Sequence, residues 1–196
     1  QLFEGHRPPK FLTVTNQQHV LHYAHVGETN KPLVVFIHGS PGAWNAFSHF
    51  MKSPQLLEKA QLVSVDRPGY GKSGFGAWES SLITQVQLIH KTFSHASDAQ
   101  PILVAGHSYG GPIAARLAME YPDKVSGLIM VAPSIDPDLE KHQWYQRAAK
   151  SWFIRWALPK DLRVANEEIW PLRNELQKQA GLWQNIQCPV TVLQGT

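Results

Sequence analysis

Apolar residues along the chain follow two alternating patterns: short runs rich in β-branched side chains, and longer stretches with helical spacing. "FLTVT" (11–15) and "HVLHYAHV" (19–26) alternate apolar with polar and predict a half-exposed hairpin. "LVVFIHG" (33–39), "LVSVD" (62–66), "PILVAGH" (101–107), "VSGLIMVA" (125–132) and "PVTVLQG" (189–195) predict strands covered on both faces. Between them, Leu82, Val86, Ile89 and Phe93 share one helical stripe, as do Ile113, Ala114, Leu117 and Tyr121. The alternation predicts an open, mostly parallel α/β sheet with helices on both faces and right-handed crossovers. No repeat or low-complexity tract interrupts it.

The segment from Pro133 to Gln187 holds no strand candidate but five of the seven tryptophans. Trp144, Ala148, Trp152 and Trp156 fall four apart and predict an aromatic ridge on one helix. A second helix is expected from Pro171, a good first-turn residue, to Gly181, a good stop. Residues 134–186 thus read as a helical cap packed over the carboxyl edge of the sheet, with the core in 1–133 and 187–196. The tryptophans fit both ordinary core and the lining of a substrate pocket.

Composition narrows the classes. With 43% apolar residues in 196, the chain buries one real core. A net charge of +3 without a basic run gives no reason to expect nucleic acid. No stretch reaches about 18 apolar residues, so no membrane span is expected. The single Cys188 forms no internal disulfide, and no cysteine–histidine spacing suggests a metal. One thiol fits the cytoplasm, while a start at Gln1 leaves an exported mature form open.

The candidate chemistry lies in "GHSYG" (106–110), which fits G-x-S-x-G with a strand before it and a helix after it. A sharp strand-to-helix turn forces Ser108 into a strained conformation and thrusts its Oγ from the sheet edge. Gly106 and Gly110 let the two arms approach, and the helix beginning at Tyr109 aims free N–H groups at developing negative charge. The bland alternative is a glycine-rich turn whose serine merely caps the helix. "HGSPG" (38–42) follows the strand "LVVFI"; Gly39 permits an unusual turn and Pro41 keeps Ser40 extended. The N–H groups of Ser40 and Tyr109 would form a two-donor oxyanion hole. His38 and His107 read as loop supports rather than bases. "GYGKSG" (69–74) is not a phosphate loop, because Asp66 stands where G-x-x-x-x-G-K-[ST] requires glycine.

"HGSPG", "DRPGYGKS" (66–73) and "GHSYGG", in this order and spacing, resemble the α/β-hydrolase superfamily, specifically its esterase-like members with a helical cap. The resemblance implies a sheet of up to eight strands, a cap after the sixth, a serine nucleophile and no cofactor. Ser108 argues against haloalkane dehalogenases and epoxide hydrolases of this fold, which carry aspartate at the elbow. In that family an acid follows the seventh strand and a histidine the eighth, whereas all ten histidines here lie at or before His142. Asp136, near the end of the sixth strand, is an alternative acid, but Asp136–Pro137 also reads as a helix N-cap pair.

The expectation is therefore that strand 8, its helix and the acid and histidine lie beyond Thr196. On that expectation residues 1–196 alone turn over esters poorly, and strand 7 offers an edge for pairing. The functional expectation is a serine hydrolase acting on a small-molecule carboxylic ester. A non-catalytic binding protein and an acyltransferase are the rival readings.

Overall fold

The structure, a computed structural model, describes residues 2–16, 18–140 and 151–195. Seven strands form one sheet: β1 (Lys10–Thr15), β2 (Val20–Val26), β3 (Leu33–Ile37), β4 (Gln61–Val65), β5 (Ile102–His107), β6 (Val125–Val131) and β7 (Val190–Leu193). Their order is β1-β2-β4-β3-β5-β6-β7. β1–β2 and β2–β4 are antiparallel, and every other pair is parallel.

The helices are α1 (Ser48–Met51), α2 (Pro54–Lys59), α3 (Leu82–His90), α4 (Gly110–Glu120), α5 (Trp152–Ala157), α6 (Lys160–Ile169) and α7 (Leu172–Gln179). Serine hydroxyls start two of them: Ser53 accepts from Leu56 N and Ser81 from Thr84 N.

The two-residue period of the strands sorts side chains between two apolar layers. Leu33, Val35 and Ile37 of β3 face one layer with Val86, Ile89, Phe93, Ile113 and Leu117. Phe36 faces the other, with Met51, Leu62 and Ala105 and the flanking Phe47 and Leu56. All four predicted positions on α3 and its continuation, Leu82, Val86, Ile89 and Phe93, are buried.

Three expectations need correction. β2 is covered along almost its whole length, because it sits between β1 and β4 and is not an outer hairpin arm. β7 is exposed at all four positions, with Val192 at 50% and Leu193 at 54%, since it lies at the end of the sheet order. Of the tryptophan ridge, Trp144 and Ala148 lie outside the described residues, as does His142. Trp152 and Trp156 sit on α5 but are 69% and 81% exposed, so neither belongs to the packed core.

The helix expected over 171–181 forms as α7, with Pro171 at its N-cap and a 3₁₀ turn, Ala180–Asn185, following it. Leu172 and Leu176 join the core cluster that also holds Leu82.

Sheet order dictates where a site can form. The chain leaves β3 towards β4 on one side, while β5 leads to β6 on the other. The loops after β3 and β5 therefore part company at adjacent carboxyl ends, with Ile37 in register with Gly106. Crevices of open α/β sheets form at such a switch point.

Candidate functional site

At the end of β5 the backbone turns into α4 through Ser108, whose φ is +50°. This left-handed conformation is costly for a residue with a Cβ, of order 1–3 kcal/mol, and it persists only where surroundings over-determine it. Here they do. Ser108 N donates to Val131 O at 3.0 Å, and Ser108 O accepts from Gly111 N at 2.9 Å and Ser134 N at 3.2 Å. The glycines allow the tight crossing: a Cβ on Gly106 would overlap the main chain of Gly110, and one on Gly110 the carbonyl of Ile37. Ser108 is half-buried at the sheet edge, not inside a relaxed helix.

The loop after β3 lies against this elbow. A Cβ on Gly39 would stand 2.9 Å from Ser108 Cβ and 3.2 Å from His107 Nδ1. Ser40 is followed by a cis peptide to Pro41. Among the described residues, the main-chain bonds that tie down the elbow do not use the N–H groups of Ser40 or Tyr109.

His38 is fully buried, with Nδ1 against Gly39 O at 2.7 Å and Nε2 accepting from Arg67 N at 3.0 Å. These partners fix a neutral ring with the proton on Nδ1. Burial, followed by the charge of Arg67, pushes its pKa well below the usual histidine value, although the Gly39 carbonyl opposes this. With both nitrogens engaged, His38 supports the loop. Other histidine bonds lead elsewhere: His22 to Asp66, His25 to Gln61, His95 to Tyr23 and His19 to Glu79. His107 is exposed beside the serine.

Asp136 is exposed and accepts from Asp138 N at 2.8 Å, within a turn over residues 137–139. Its side chain thus serves its own turn, in the manner of an Asx turn, and no helix starts there among the described residues.

The loop after β4 is built around Asp66. Its carboxylate accepts from His22 Nδ1, Trp44 N and Lys72 N at 2.8–3.0 Å. An acceptor thus fills the space in which a phosphate loop presents donors.

Next in sequence is a group that the sequence reading missed. Arg67 is fully buried and pairs with Glu168 of α6, also fully buried, through Nη1–Oε2 at 2.7 Å and Nη2–Oε1 at 2.8 Å. Glu168 further accepts from Tyr70 OH at 2.5 Å and from Ser40 Oγ. The guanidinium lies over the rings of Tyr70 and Tyr109, 5.0 and 4.6 Å from their centroids. Burial works against the arginine charge, but Glu168 outweighs it and raises the Arg67 pKa. Burial and then the Glu168 charge push the Tyr70 and Tyr109 phenols upward, so both stay neutral donors. α6 therefore crosses the carboxyl ends of β3, β4 and β5, with Tyr109 OH donating to Glu168 O at 3.3 Å. The position of Arg67, directly after a central strand, was the available signal. Glu168 had none, being one charge in the polar stretch "NEEI".

A cavity of about 520 Å³ opens between this loop and the start of α6, lined by Pro41, Gly42, Tyr70, Phe75, Pro159 and Lys160. Among the described residues no cluster of metal-ligating side chains occurs, and no helix is long and apolar enough to cross a membrane.

Comparison with known proteins agrees with this geometry. The family model for the alpha/beta hydrolase fold matches residues 32–181. Epoxide hydrolase 4 of Mus musculus is 30% identical over 115 residues, covering 56% of this chain and 30% of that protein. The pimeloyl-[acyl-carrier protein] methyl ester esterase of Edwardsiella ictaluri is 36% identical over 112 residues, covering 56% of this chain and 40% of the esterase. Each match thus spans less than half of the relative's length. A crystal structure of a membrane phospholipase A, described as a bacterial virulence factor, superposes with a TM-score of 0.71 at 19% identity, covering 96% of this chain and 70% of that one. Strand order, elbow and family match converge on one assignment: the chain belongs to the alpha/beta hydrolase fold family.

Proposed function

We propose that the protein is a serine hydrolase that cleaves carboxylic esters through an acyl-enzyme on Ser108. The observation that carries this reading is the positive φ of Ser108 beside the Gly39–Ser40 turn. A serine held at positive φ, its Cβ against a loop whose Ser40 N–H makes no main-chain bond among the described residues, suits acyl transfer. Ser108 Oγ attacks the ester carbonyl and forms the C–O bond. The carbonyl oxygen takes the negative charge and is held by Ser40 N–H and Tyr109 N–H. Collapse expels the alcohol, and water then releases the acid.

The proton of Ser108 needs a base. The resemblance to capped esterases supplies it as a histidine outside residues 1–196, oriented by an acid there, with Asp136 the less favoured acid. That histidine takes the Ser108 proton and passes it to the leaving alcohol. Residues 134–186 act as the cap, and the cavity beside Pro41 and Phe75 favours a substrate with an apolar part. The chemistry needs no cofactor. The exposed β7 edge is where a further strand or another chain would pair.

The relative acting on a methyl ester is compatible with this reading. The epoxide hydrolase relative does not displace it, because the elbow residue here is a serine. A rapid-mixing experiment with p-nitrophenyl butyrate on the protein expressed from its complete gene tests the proposal. It expects a burst of nitrophenolate stoichiometric with enzyme and absent from Ser108→Ala. Equal turnover by Ser108→Ala would refute it.

A further inference from the structure

We propose that Glu168, acting through Arg67, is a positioning residue for the oxyanion donor Ser40 N–H. The proposal rests on the serine-hydrolase reading above and adds a coupling between the β6–β7 helical segment and the reacting centre.

The argument starts with the donors of Arg67. Nε donates to His38 O at 2.9 Å, and Nη2 to Gly39 O at 3.0 Å and Ser40 Oγ at 2.8 Å. Nη1 donates to Gln85 Oε1 at 3.2 Å, and both terminal nitrogens reach Glu168. A guanidinium has five N–H groups in a rigid plane, so this partner set leaves it no other orientation.

The two captured carbonyls belong to the oxyanion loop itself. A trans peptide is planar, with its C=O and N–H pointing in opposite directions. With Gly39 O held by Arg67 and His38, the N–H of Ser40 on the same peptide plane must point away from Arg67. The other side of that turn is the one Gly39 presses against Ser108.

Glu168 keeps the guanidinium there. Both side chains are 0% exposed, so the arginine has no water to fall back on if its counter-charge leaves. Glu168 also binds the Ser40 hydroxyl directly, gripping the residue whose N–H is at issue. Because Glu168 stands on α6, 101 residues from Arg67, the position of that segment is transmitted to the loop. When α6 is seated, the donor is aimed; when it shifts, Arg67 loses its counter-charge, its grip on Gly39 O loosens, and the peptide is left to the His38 contact.

The test uses the protein from its complete gene, with p-nitrophenyl butyrate as substrate and circular dichroism and a urea midpoint to confirm folding. The variants are Glu168→Gln, the apolar pair Arg67→Met/Glu168→Leu, and the surface control Glu120→Gln. Glu168→Gln is expected to lower kcat at least tenfold with KM within twofold, since the donor acts on the oxyanion and not on bound ester. The apolar pair leaves no unpaired buried charge, and its urea midpoint reports what the freed carbonyls and the Tyr70 hydroxyl cost. Having lost the carbonyl grip, it is expected to show a fall in kcat at least as large. A folded Glu168→Gln, or a folded apolar pair where Glu168→Gln fails to fold, with kcat within twofold of wild type overturns the proposal and leaves Ser108 chemistry standing. A wild-type protein lacking any turnover dependent on Ser108 overturns the hydrolase reading and this proposal with it.

Discussion

Replacing Gly39 by alanine probes the closest approach in the site. The new Cβ would meet Ser108 Cβ at 2.9 Å and His107 Nδ1 at 3.2 Å. Carbon atoms settle at about 3.5–4.0 Å, so the loop must retreat from the elbow by roughly 0.6–1.1 Å. Nothing in the backbone at Gly39 forbids alanine, because its φ is not positive; the cost is one of space.

A misplacement of about 1 Å typically costs ~10²-fold in rate. That corresponds to about 2.7 kcal/mol, close to the roughly 3 kcal/mol lost with one oxyanion donor. Overpacking also costs about 1–3 kcal/mol of stability, which a domain with the usual 5–15 kcal/mol survives. The assay is kcat/KM for p-nitrophenyl butyrate, measured well below the urea midpoint. Gly42→Ala is the comparison: its Cβ would strike His38 Nδ1 at 2.7 Å and strain the loop without touching Ser108. Gly39→Ala should lose about a hundredfold in rate and exceed Gly42→Ala at matched stability. A Gly39→Ala protein with wild-type kcat/KM would refute the view that this loop is packed against a nucleophile.

Other expectations concern the buried charges and the strained serine. Glu168→Leu alone leaves Arg67 charged in the interior and should cost about 3–5 kcal/mol in urea unfolding. The pair Arg67→Met/Glu168→Leu should regain only part of that, because His38 O and Tyr70 OH lose their partners; a single variant costing under about 1 kcal/mol would contradict the pairing. Ser108→Gly and Ser108→Ala should both be inactive. Glycine should be the more stable by up to about 1 kcal/mol, because it relieves the positive φ while losing a little to unfolded-state entropy.

His38 makes stability depend on pH. Its folded pKa is lowered by burial and then by Arg67, so the unfolded chain takes up a proton below about pH 6.5 that the folded protein refuses. Stability is therefore full above that pH and falls as pH drops towards the folded value. Between pH 6.5 and 5.5 the wild type should lose about 1 kcal/mol more than His38→Asn. His25, His90 and His95 are lowered too, again by burial first, and act with the same sign in both proteins.

Much of the sheet was legible in the chain because β-branched runs such as "LVVFI" and "ILVAG" leave few alternatives to a buried strand. What one strand cannot carry is its own place in the sheet. "VTVL" looks as buried as "LVVFI", yet β7 is exposed because of its neighbours and β2 is covered for the same reason. The elbow could be read because its serine and both glycines fall within five consecutive residues between a strand and a helix, although Gly110 also makes room for the Ile37 carbonyl. The Arg67–Glu168 pair could not, since its partners lie 101 residues apart and a buried glutamate is spelled like a surface one. α6 was not set apart within the helical segment 134–186 for a related reason. Its buried face is only Val164, Ala165 and Glu168, too few apolar positions to declare a helix. Trp152 and Trp156 erred the other way: helical spacing places them on one face but does not say what covers that face.

The central claim is that Ser108 is an activated nucleophile, and covalent capture reads it directly. The protein from its complete gene, treated with a fluorophosphonate and digested, should carry one phosphonyl group on the peptide containing Ser108 and none in Ser108→Ala. A folded protein left unmodified, or modified at another serine, would contradict it.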